Sequence, residues 1–337
     1  MPSPDDYLHA ARRIADDLLF PHALAVDRSG TLPSGHLEAL ADAGLYGVAA
    51  PVADGGLGTD DLRTMAGLVE TLAEGCLTTA FVWIQHHGTV ASVAASSGAV
   101  RDRWLGPLCR GELRAGIGLA GLRAEPGLRV RPVDGGFALD GSCPWVTGWG
   151  SITTIGVAAR DDHDVVHHLL VDAVASATLR ARPHELVAVQ ASGTVTLDFT
   201  RHVVGADRLL ATHPFADWRS GDASGSTLNG FLATGSARRC CRLLGPSALD
   251  AEVHDACAAL LAATGDAVGP ARAAASDVAL RAAAALSVRT GSRAVLADQH
   301  AQRLVREAAF LLVFGSRPGM RDALLRRLGA AELSAAG

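Results

Sequence analysis

Lysine is missing from this chain: all 30 of the basic residues among its 337 are arginine. The absence excludes a nucleotide-binding P-loop, a pyridoxal Schiff base and a protein-kinase site, because each of these requires a lysine side chain. Aromatic residues are scarce at 4%, which predicts a core of closely packed helices. A net charge of −5 argues against a nucleic-acid partner, which would need a basic surface.

Paired cysteine motifs are also absent. The six cysteines show no CxxC pair and no zinc-ligand spacing, so the sequence predicts no metal site. His163, His167 and His168 could hold a metal by their spacing, but no carboxylate-rich motif accompanies them, and a polar strand-and-turn surface is the favoured interpretation. The adjacent Cys240 and Cys241 are interpreted as small buried residues of a helix.

Neither a signal peptide nor a membrane-spanning stretch is apparent. The N-terminus combines early acidic residues with helical periodicity, and no apolar run is long enough to cross a bilayer. Hydrophobic residues make up 49% of the chain, which excludes a disordered protein. We therefore expect a globular protein of the reducing cytoplasm that has no membrane partner.

Three regions differ in their hydrophobic pattern. Residues 1–113 have helical periodicity, and the first helix is predicted to end at Pro21. Residues 114–212 contain short alternating runs between Gly, Asp and Pro turns, which predict an antiparallel β-barrel or sandwich. Residues 213–337 are rich in alanine and predict a helical bundle. The expected fold class is α+β, with a middle β domain between an N-terminal helical domain and a C-terminal helical bundle.

Three strings stand out, one in each region. Residues 37–58 contain Leu-x-x-Leu, Ala-Gly-Leu and Gly-Gly-x-Gly, residues 141–147 read Gly-x-x-Pro-Trp-Val-Thr, and residues 303–308 read Arg-Leu-Val-Arg-Glu-Ala. In this order they resemble the acyl-CoA dehydrogenase family of flavoproteins, over nearly the whole chain. The resemblance implies FAD as cofactor, an acyl thioester of CoA or of a carrier protein as substrate, and assembly into a homodimer or homotetramer.

The resemblance also implies which residues meet the flavin. Trp145, Val146 and Thr147 are similar to the β-domain segment that lies along the flavin ring. A threonine at the end of a strand offers a hydroxyl and a backbone N–H to the ring edge, and a tryptophan supplies a flat wall. The alternative is an ordinary strand with a packed tryptophan.

Several family features are missing. Of the loop that contacts flavin and substrate, only Glu125-Pro126-Gly127 remains, and the segments that hold the dinucleotide across the subunit interface have no clear counterpart. The usual catalytic glutamate aligns with Phe314, and the alternative base position falls near residues 228–231, again without an acid. Because removal of the α-proton needs a base, the catalytic base is unassigned.

Histidines are the candidate catalytic residues. His87 lies beside His86 in a helix predicted from about Thr78, and His300 precedes the arginine string. A neutral histidine near pH 7 can shuttle a proton, and flavin monooxygenases of this fold, which the chain resembles loosely, use histidines from comparable places. The alternative for each is a helix histidine that is hydrogen-bonded at a domain boundary.

Arg303 and Arg306 lie three residues apart and therefore share one helical face. The favoured interpretation is an ion pair with Glu307, within the helix or at a subunit interface. The functional alternative is that both arginines steady the flavin diphosphate or the phosphopantetheine of a thioester.

Three functional hypotheses follow. The first is an FAD-dependent oxidoreductase of the acyl-CoA dehydrogenase type that acts on an acyl thioester. The second is a catalytically degenerate subunit that pairs with a complete dehydrogenase chain. The third is a flavin monooxygenase or a flavin-free enzyme on the same fold, which would use His86, His87 or His300.

Overall fold

The computed structural model describes residues 3–58, 61–125, 127–224 and 226–330, and its helices and strands occur in the predicted order. The first region consists of α1 (Pro4–Ile14), a π-turn (Ala15–Leu19), α2 (Phe20–Ser29), α3 (Ser34–Asp42), α4 (Leu62–Gly75), α5 (Leu77–Ala95) and α6 (Ala99–Cys109). The last region consists of α7 (Phe215–Ser224), α8 (Leu228–Leu244), α9 (Ala248–Ala262), α10 (Val268–Thr290), α11 (His300–Val313) and α12 (Pro318–Arg327).

The middle region forms a single eight-stranded sheet. Its strands are β1 (Ala115–Gly118), β2 (Arg129–Val133), β3 (Gly136–Val146), β4 (Thr154–Arg160), β5 (Val165–Asp172), β6 (Leu179–Pro183), β7 (Val195–Gly205) and β8 (Leu209–Pro214). The order is β6-β7-β3-β2-β4-β5-β8, and β1 pairs with β4. Most neighbours are antiparallel as predicted, but β4 runs parallel to β1 and β2. The β2–β3 hairpin reverses the chain and the connection from β3 to β4 reverses it again, so β4 runs in the direction of β2.

The prediction that Pro21 ends the first helix is wrong, because the helical path continues to Ser29. In a regular α-helix, a proline at this position would clash with the carbonyl four residues earlier. The π-turn widens the helix just before it, and the Phe20 N–H bonds to the Ala15 carbonyl, five residues back. The helix ends instead at Gly30, which adopts the left-handed conformation with φ 63°.

The two helical regions share one apolar core. Leu68 and Leu72 of α4 and Trp83 of α5 belong to the same buried cluster as Phe231 of α8 and Leu304 of α11. The sheet has a separate core of its own aliphatic side chains. The order of helices, sheet and helices confirms the fold class. Of the helices in this shared core, α5 packs against β1, β4 and β8 of the sheet. The division into three domains stays a prediction.

Candidate functional site

A cleft of about 1350 Å³ lies where the sheet meets the helices. Its walls are formed by α4 and α5, by the end of β3, by residues 186–188, by α7 and α8, and by the end of α11. Most of the side chains that line it are apolar, among them Met65, Phe81, Ile84, Ile117, Leu228, Phe310 and Phe314. A large, mostly apolar cavity with a few polar groups is the usual form of a small-molecule site.

Trp145 lies at the cleft in a strained conformation. Its φ is 60°, a left-handed value that is rare for a bulky residue, and the pairing of β3 with β7 shifts register between Cys143 and Val146. The indole is 61% exposed and stacks on the His184 ring with the centroids 4.7 Å apart. A strained backbone that presents a large exposed aromatic side chain to a cleft is a feature of ligand sites.

Thr147 also lines the cleft, two residues further along. Its side chain is buried, and its hydroxyl lies 3.1 Å from the hydroxyl of Thr194, which in turn lies 2.8 Å from that of Ser192. Thr194 lines the cleft as well. Val146, between the two cleft residues, points into the core of the sheet and is completely buried. Val146, the last residue of β3, pairs with Val195 of β7, and the residues on either side of it reach the cleft.

His87 is the buried polar residue of the cleft wall that has the fewest partners. It is 5% exposed, and neither ring nitrogen has a hydrogen-bond partner among the residues that the structure describes. The ring packs edge-on against Trp83, with the centroids 4.3 Å apart. Burying an unpaired polar group costs free energy, so its presence beside a cavity points to a function.

The neighbouring His86 is fixed in one tautomer. Its Nδ1 accepts a 2.9 Å hydrogen bond from the Ala115 N–H, which leaves the proton on Nε2. Burial lowers the pKa of His86 to about 3. Burial, together with His86, lowers the pKa of His87 well below its ordinary value, so both rings are neutral at pH 7.

The buried histidines predict a loss of stability in acid. Burial lowers the pKa of His36 to about 4, and His86 and His87 are shifted in the same direction. In the unfolded chain these histidines bind a proton near pH 6.5, whereas in the folded chain they are still neutral at that pH. The stabilisation is therefore complete above pH 6.5 and falls as the pH drops toward 4, by up to about 1.4 kcal/mol per pH unit for each histidine. Urea unfolding at pH 7 and at pH 5.5 measures the difference, and equal stability at both would contradict it.

The other three predicted site residues, which belong to α11, do not line this cleft. His300 stacks on Phe20 with the ring centroids 4.3 Å apart, and Arg303 bonds to its Nδ1. Arg303 is 1% exposed and forms a 2.6 Å ion pair with Glu307, the favoured interpretation from the sequence. Their predicted roles in catalysis and in cofactor binding stay predictions.

Arg306 lies nearer the cleft, behind its wall. It bonds to Asp27 at 2.9 Å and to the Val187 carbonyl at 2.7 Å. Because Val187 lines the cleft, Arg306 supports that wall through the backbone.

The family resemblance gives two positions for the catalytic base. Both lie at the cleft, and neither is occupied by an acidic residue. Phe314, the residue that follows α11, packs against Phe81 and Phe310 with centroids 4.8 and 5.4 Å away. Leu228 and Asn229 line the cleft from the start of α8. Among the described residues that line it, the carboxylates are Asp217 and Asp222.

Sequence reasoning missed a charged cluster at one end of the cleft, which we call the arginine corner: Arg123, Asp222, Arg272, Ser316 and Arg317. Nε of Arg123 and Nη2 of Arg317 each bond to Asp222 at 2.8 Å. Burial alone would raise the pKa of Asp222, but the hydrogen bonds from Arg123 and Arg317 hold the pKa below its usual range. Asp222 is thus an ionised carboxylate and a weak base.

The other two members of the corner contain buried polar atoms without partners. Arg272 is 3% exposed and donates to the carbonyls of Phe314 at 2.7 Å and Gly315 at 2.8 Å. Its Nε and the Ser316 hydroxyl have no hydrogen-bond partner in the described part of the chain. Arg123 and Arg317 are 194 positions apart in the chain, so no local pattern could have joined them.

Two arginines of α8 form ion pairs away from the cleft. Arg239 and Arg242 both bond to Asp16 at 2.9 Å, and Arg242 also bonds to Glu74 at 2.7 Å. His167 bonds to Asp161, and the described residues contain no group of three or more potential metal ligands. Within the same residues, no helix is both long and apolar enough to cross a membrane.

Comparison with known proteins identifies relatives of this fold. Residues 4–112 match the model of the acyl-CoA dehydrogenase N-terminal domain. A mitochondrial isovaleryl-CoA dehydrogenase of Arabidopsis thaliana is 24% identical over 169 residues, which cover 46% of this chain and 40% of that protein.

Two solved structures show that the likeness in fold extends over the whole chain. Butyryl-CoA dehydrogenase of Megasphaera elsdenii has a TM-score of 0.80 at 18% identity, covering 97% of each chain. A glutaryl-CoA dehydrogenase of Mycobacterium smegmatis in complex with FADH2 has a TM-score of 0.79 at 16% identity, covering 98% of this chain and 96% of that one.

Proposed function

Because residues 4–112 match the acyl-CoA dehydrogenase N-terminal domain and the chain has the fold of these enzymes, we propose that it is an FAD-dependent oxidoreductase of the acyl-CoA dehydrogenase type that acts on an acyl thioester in the cleft. The observation that carries the proposal is the pair of Trp145 and Thr147, one exposed and strained, the other buried with its hydroxyl at the cleft. The cofactor and the substrates named for the similar proteins support the proposal only through this likeness.

The residues at the end of β3 fit a flavin ring. The exposed indole of Trp145 offers a flat apolar face, and stacking of aromatic surfaces favours such contacts. The hydroxyls of Thr147 and Thr194 can each donate or accept a hydrogen bond at a polar ring edge. The cleft volume of about 1350 Å³ leaves room for a ring and an acyl chain together. When bound, FAD would supply a hydride acceptor.

His87 is the residue that we assign to the thioester. Its low pKa makes the ring a weak base and keeps it neutral, so it serves best as a hydrogen-bond donor. A neutral imidazole in a water-poor site can stabilise negative charge that develops on a carbonyl oxygen, and the charge of the α-carbanion spreads to that oxygen. Both ring nitrogens are without partners in the described structure, so one can donate without breaking an existing bond.

A mutation at Thr147 tests the flavin site. We expect Thr147→Ala to weaken flavin retention about threefold to tenfold, because one neutral hydrogen bond contributes about 0.5–1.5 kcal/mol. The flavin absorbance of the purified protein, followed during dialysis, measures retention. Thr212→Ala, at an exposed position of β8, is the matched control. Colourless wild-type protein that takes up no added FAD would refute the proposed function.

The partner-subunit hypothesis is supported by one specific observation. Phe314 fills the position that the family resemblance gives to the base, packed between Phe81 and Phe310, and phenylalanine cannot accept a proton. An isolated chain that binds FAD but leaves it oxidised after anaerobic addition of acyl thioesters, and is active only with a second dehydrogenase chain, would favour this alternative. Bleaching of the flavin by the isolated chain would favour direct dehydrogenation.

A further inference from the structure

The arginine corner contains more positive than negative charge. Its one carboxylate, that of Asp222, bonds to Arg123 and Arg317, while the third guanidinium group, that of Arg272, bonds to backbone carbonyls instead. The next carboxylate of the cleft wall, Asp217, is exposed and lies more than one turn earlier in α7. The corner therefore has an excess of positive charge within a mostly apolar cavity, where a charge interacts more strongly than in water.

Arg272 makes this excess unusual. It is 3% exposed and has carbonyl partners, Phe314 and Gly315, in place of a carboxylate. Burial, and the nearby charge of Arg317, lower its pKa to about 10. A buried cation without a carboxylate is costly unless something else compensates it. An anion in the adjacent cleft would provide that compensation.

The corner also offers polar atoms that a ligand could bond. Ser316 and Arg317 line the cleft, and the Ser316 hydroxyl is buried without a partner in the described residues. The Asn229 amide lies next to Gly315, between Phe314 and Ser316: its Nδ2 would be 3.2 Å from a Cβ atom added to that glycine. A hydroxyl, an amide and a guanidinium together suit a carboxylate, which accepts several hydrogen bonds at once.

From these contacts we propose that the arginine corner binds a carboxylate carried by the acyl chain, so that the preferred substrate is an acidic acyl thioester. The inference rests on the proposed function, because it assumes that the acyl chain occupies the cleft. A phosphate of the cofactor or of the pantetheine arm is also an oxyanion. We favour the acyl carboxylate because the corner adjoins Phe314, at the position where the family resemblance puts the reacting carbons.

Two thioesters of equal carbon number test the inference. Succinyl-pantetheine and butyryl-pantetheine share the arm common to CoA and carrier proteins and differ in one carboxylate. Titration calorimetry with the FAD-loaded protein is expected to show at least about tenfold tighter binding of the succinyl thioester, since hydrogen bonds to a charged group are stronger than neutral ones. Ser316→Ala and Arg317→Gln should reduce this preference while leaving the affinity for the butyryl thioester within about twofold.

Controls separate the alternatives. Arg110→Gln, which removes an exposed ion pair with Glu112, should keep the preference, and thermal unfolding checks that each variant folds. Equal binding of both thioesters by the wild type, or a preference that survives Arg317→Gln, would overturn the inference and leave the proposed function intact. Failure of both thioesters to bind would overturn the proposed function and the inference with it. Inorganic pyrophosphate that binds in an Arg317-dependent manner, without discrimination between the thioesters, would assign the corner to a phosphate instead.

Discussion

Replacing Glu307 with alanine is expected to lower the free energy of unfolding by about 3–5 kcal/mol, because it leaves the buried Arg303 guanidinium without its carboxylate. Glu307 is 3% exposed and Arg303 is 1% exposed, and the bond between them is 2.6 Å long. Solvent cannot replace the lost partner in the shared core of the two helical regions. Urea unfolding at pH 7 measures the change.

The matched control for this variant is Glu252→Ala. Glu252 is paired with Arg281 at the surface, with both side chains more than 40% exposed, and loss of such a pair changes stability by no more than about 1 kcal/mol. If Glu307→Ala were as stable as Glu252→Ala but lost its flavin, Arg303 would have to be a cofactor ligand, contrary to the structural role that its burial supports.

Replacing His87 with leucine should separate stability from activity. We expect the variant to be more stable by about 1–3 kcal/mol, because it removes a buried polar ring that has no hydrogen-bond partner in the described structure. Under the proposed function, turnover of the acyl thioester should fall by at least about 100-fold, as is typical when a group that acts on the reacting atoms is removed. Urea unfolding and flavin reduction under single-turnover conditions give the two values.

The neighbouring His86 provides the contrast. His86→Leu leaves the Ala115 N–H without the acceptor that it now has at 2.9 Å, so this variant should be less stable than the wild type by about 1–3 kcal/mol. The two substitutions are identical in chemistry, adjacent in sequence and opposite in expected sign. A His87→Leu protein that is destabilised to the same extent would show that His87 has a structural partner and would remove the reason for assigning it to the thioester.

The main features of the fold could be predicted from local sequence. Helical periodicity and capping involve residues that are only a few positions apart. At the start of α4, for example, the Asp61 side chain accepts a hydrogen bond from the Thr64 N–H. The end of the first helix was predicted wrongly at Pro21 because a π-turn changes the effect of a proline on the helix, and the sequence pattern contains no signal for it. The parallel pairing of β4 was missed for a similar reason, since pairing partners are set by the path of the chain.

The candidate site was predictable only where its residues are neighbours in sequence. Trp145 and Thr147 were found together because they are two positions apart at the end of β3, on either side of the core residue Val146. His87 could be named as a candidate from the sequence, but its burial and its unpartnered nitrogens come from the packing of α5 against the rest of the molecule.

By itself, the sequence determined the order of helices and strands, the resemblance to one family and the fact that an anion has no lysine to pair with, so that arginine must supply the fixed positive charge. Only the tertiary structure decided which arginines those are. The clustered Arg303 and Arg306 have intrachain acidic partners. Arg123 and Arg317, by contrast, meet at Asp222 in the cleft wall, and Arg272 bonds to the carbonyls of Phe314 and Gly315, which line the cleft. The physical reason is that charge is compensated through space, so the pairing of a charged side chain depends on packing between elements that are distant in the chain.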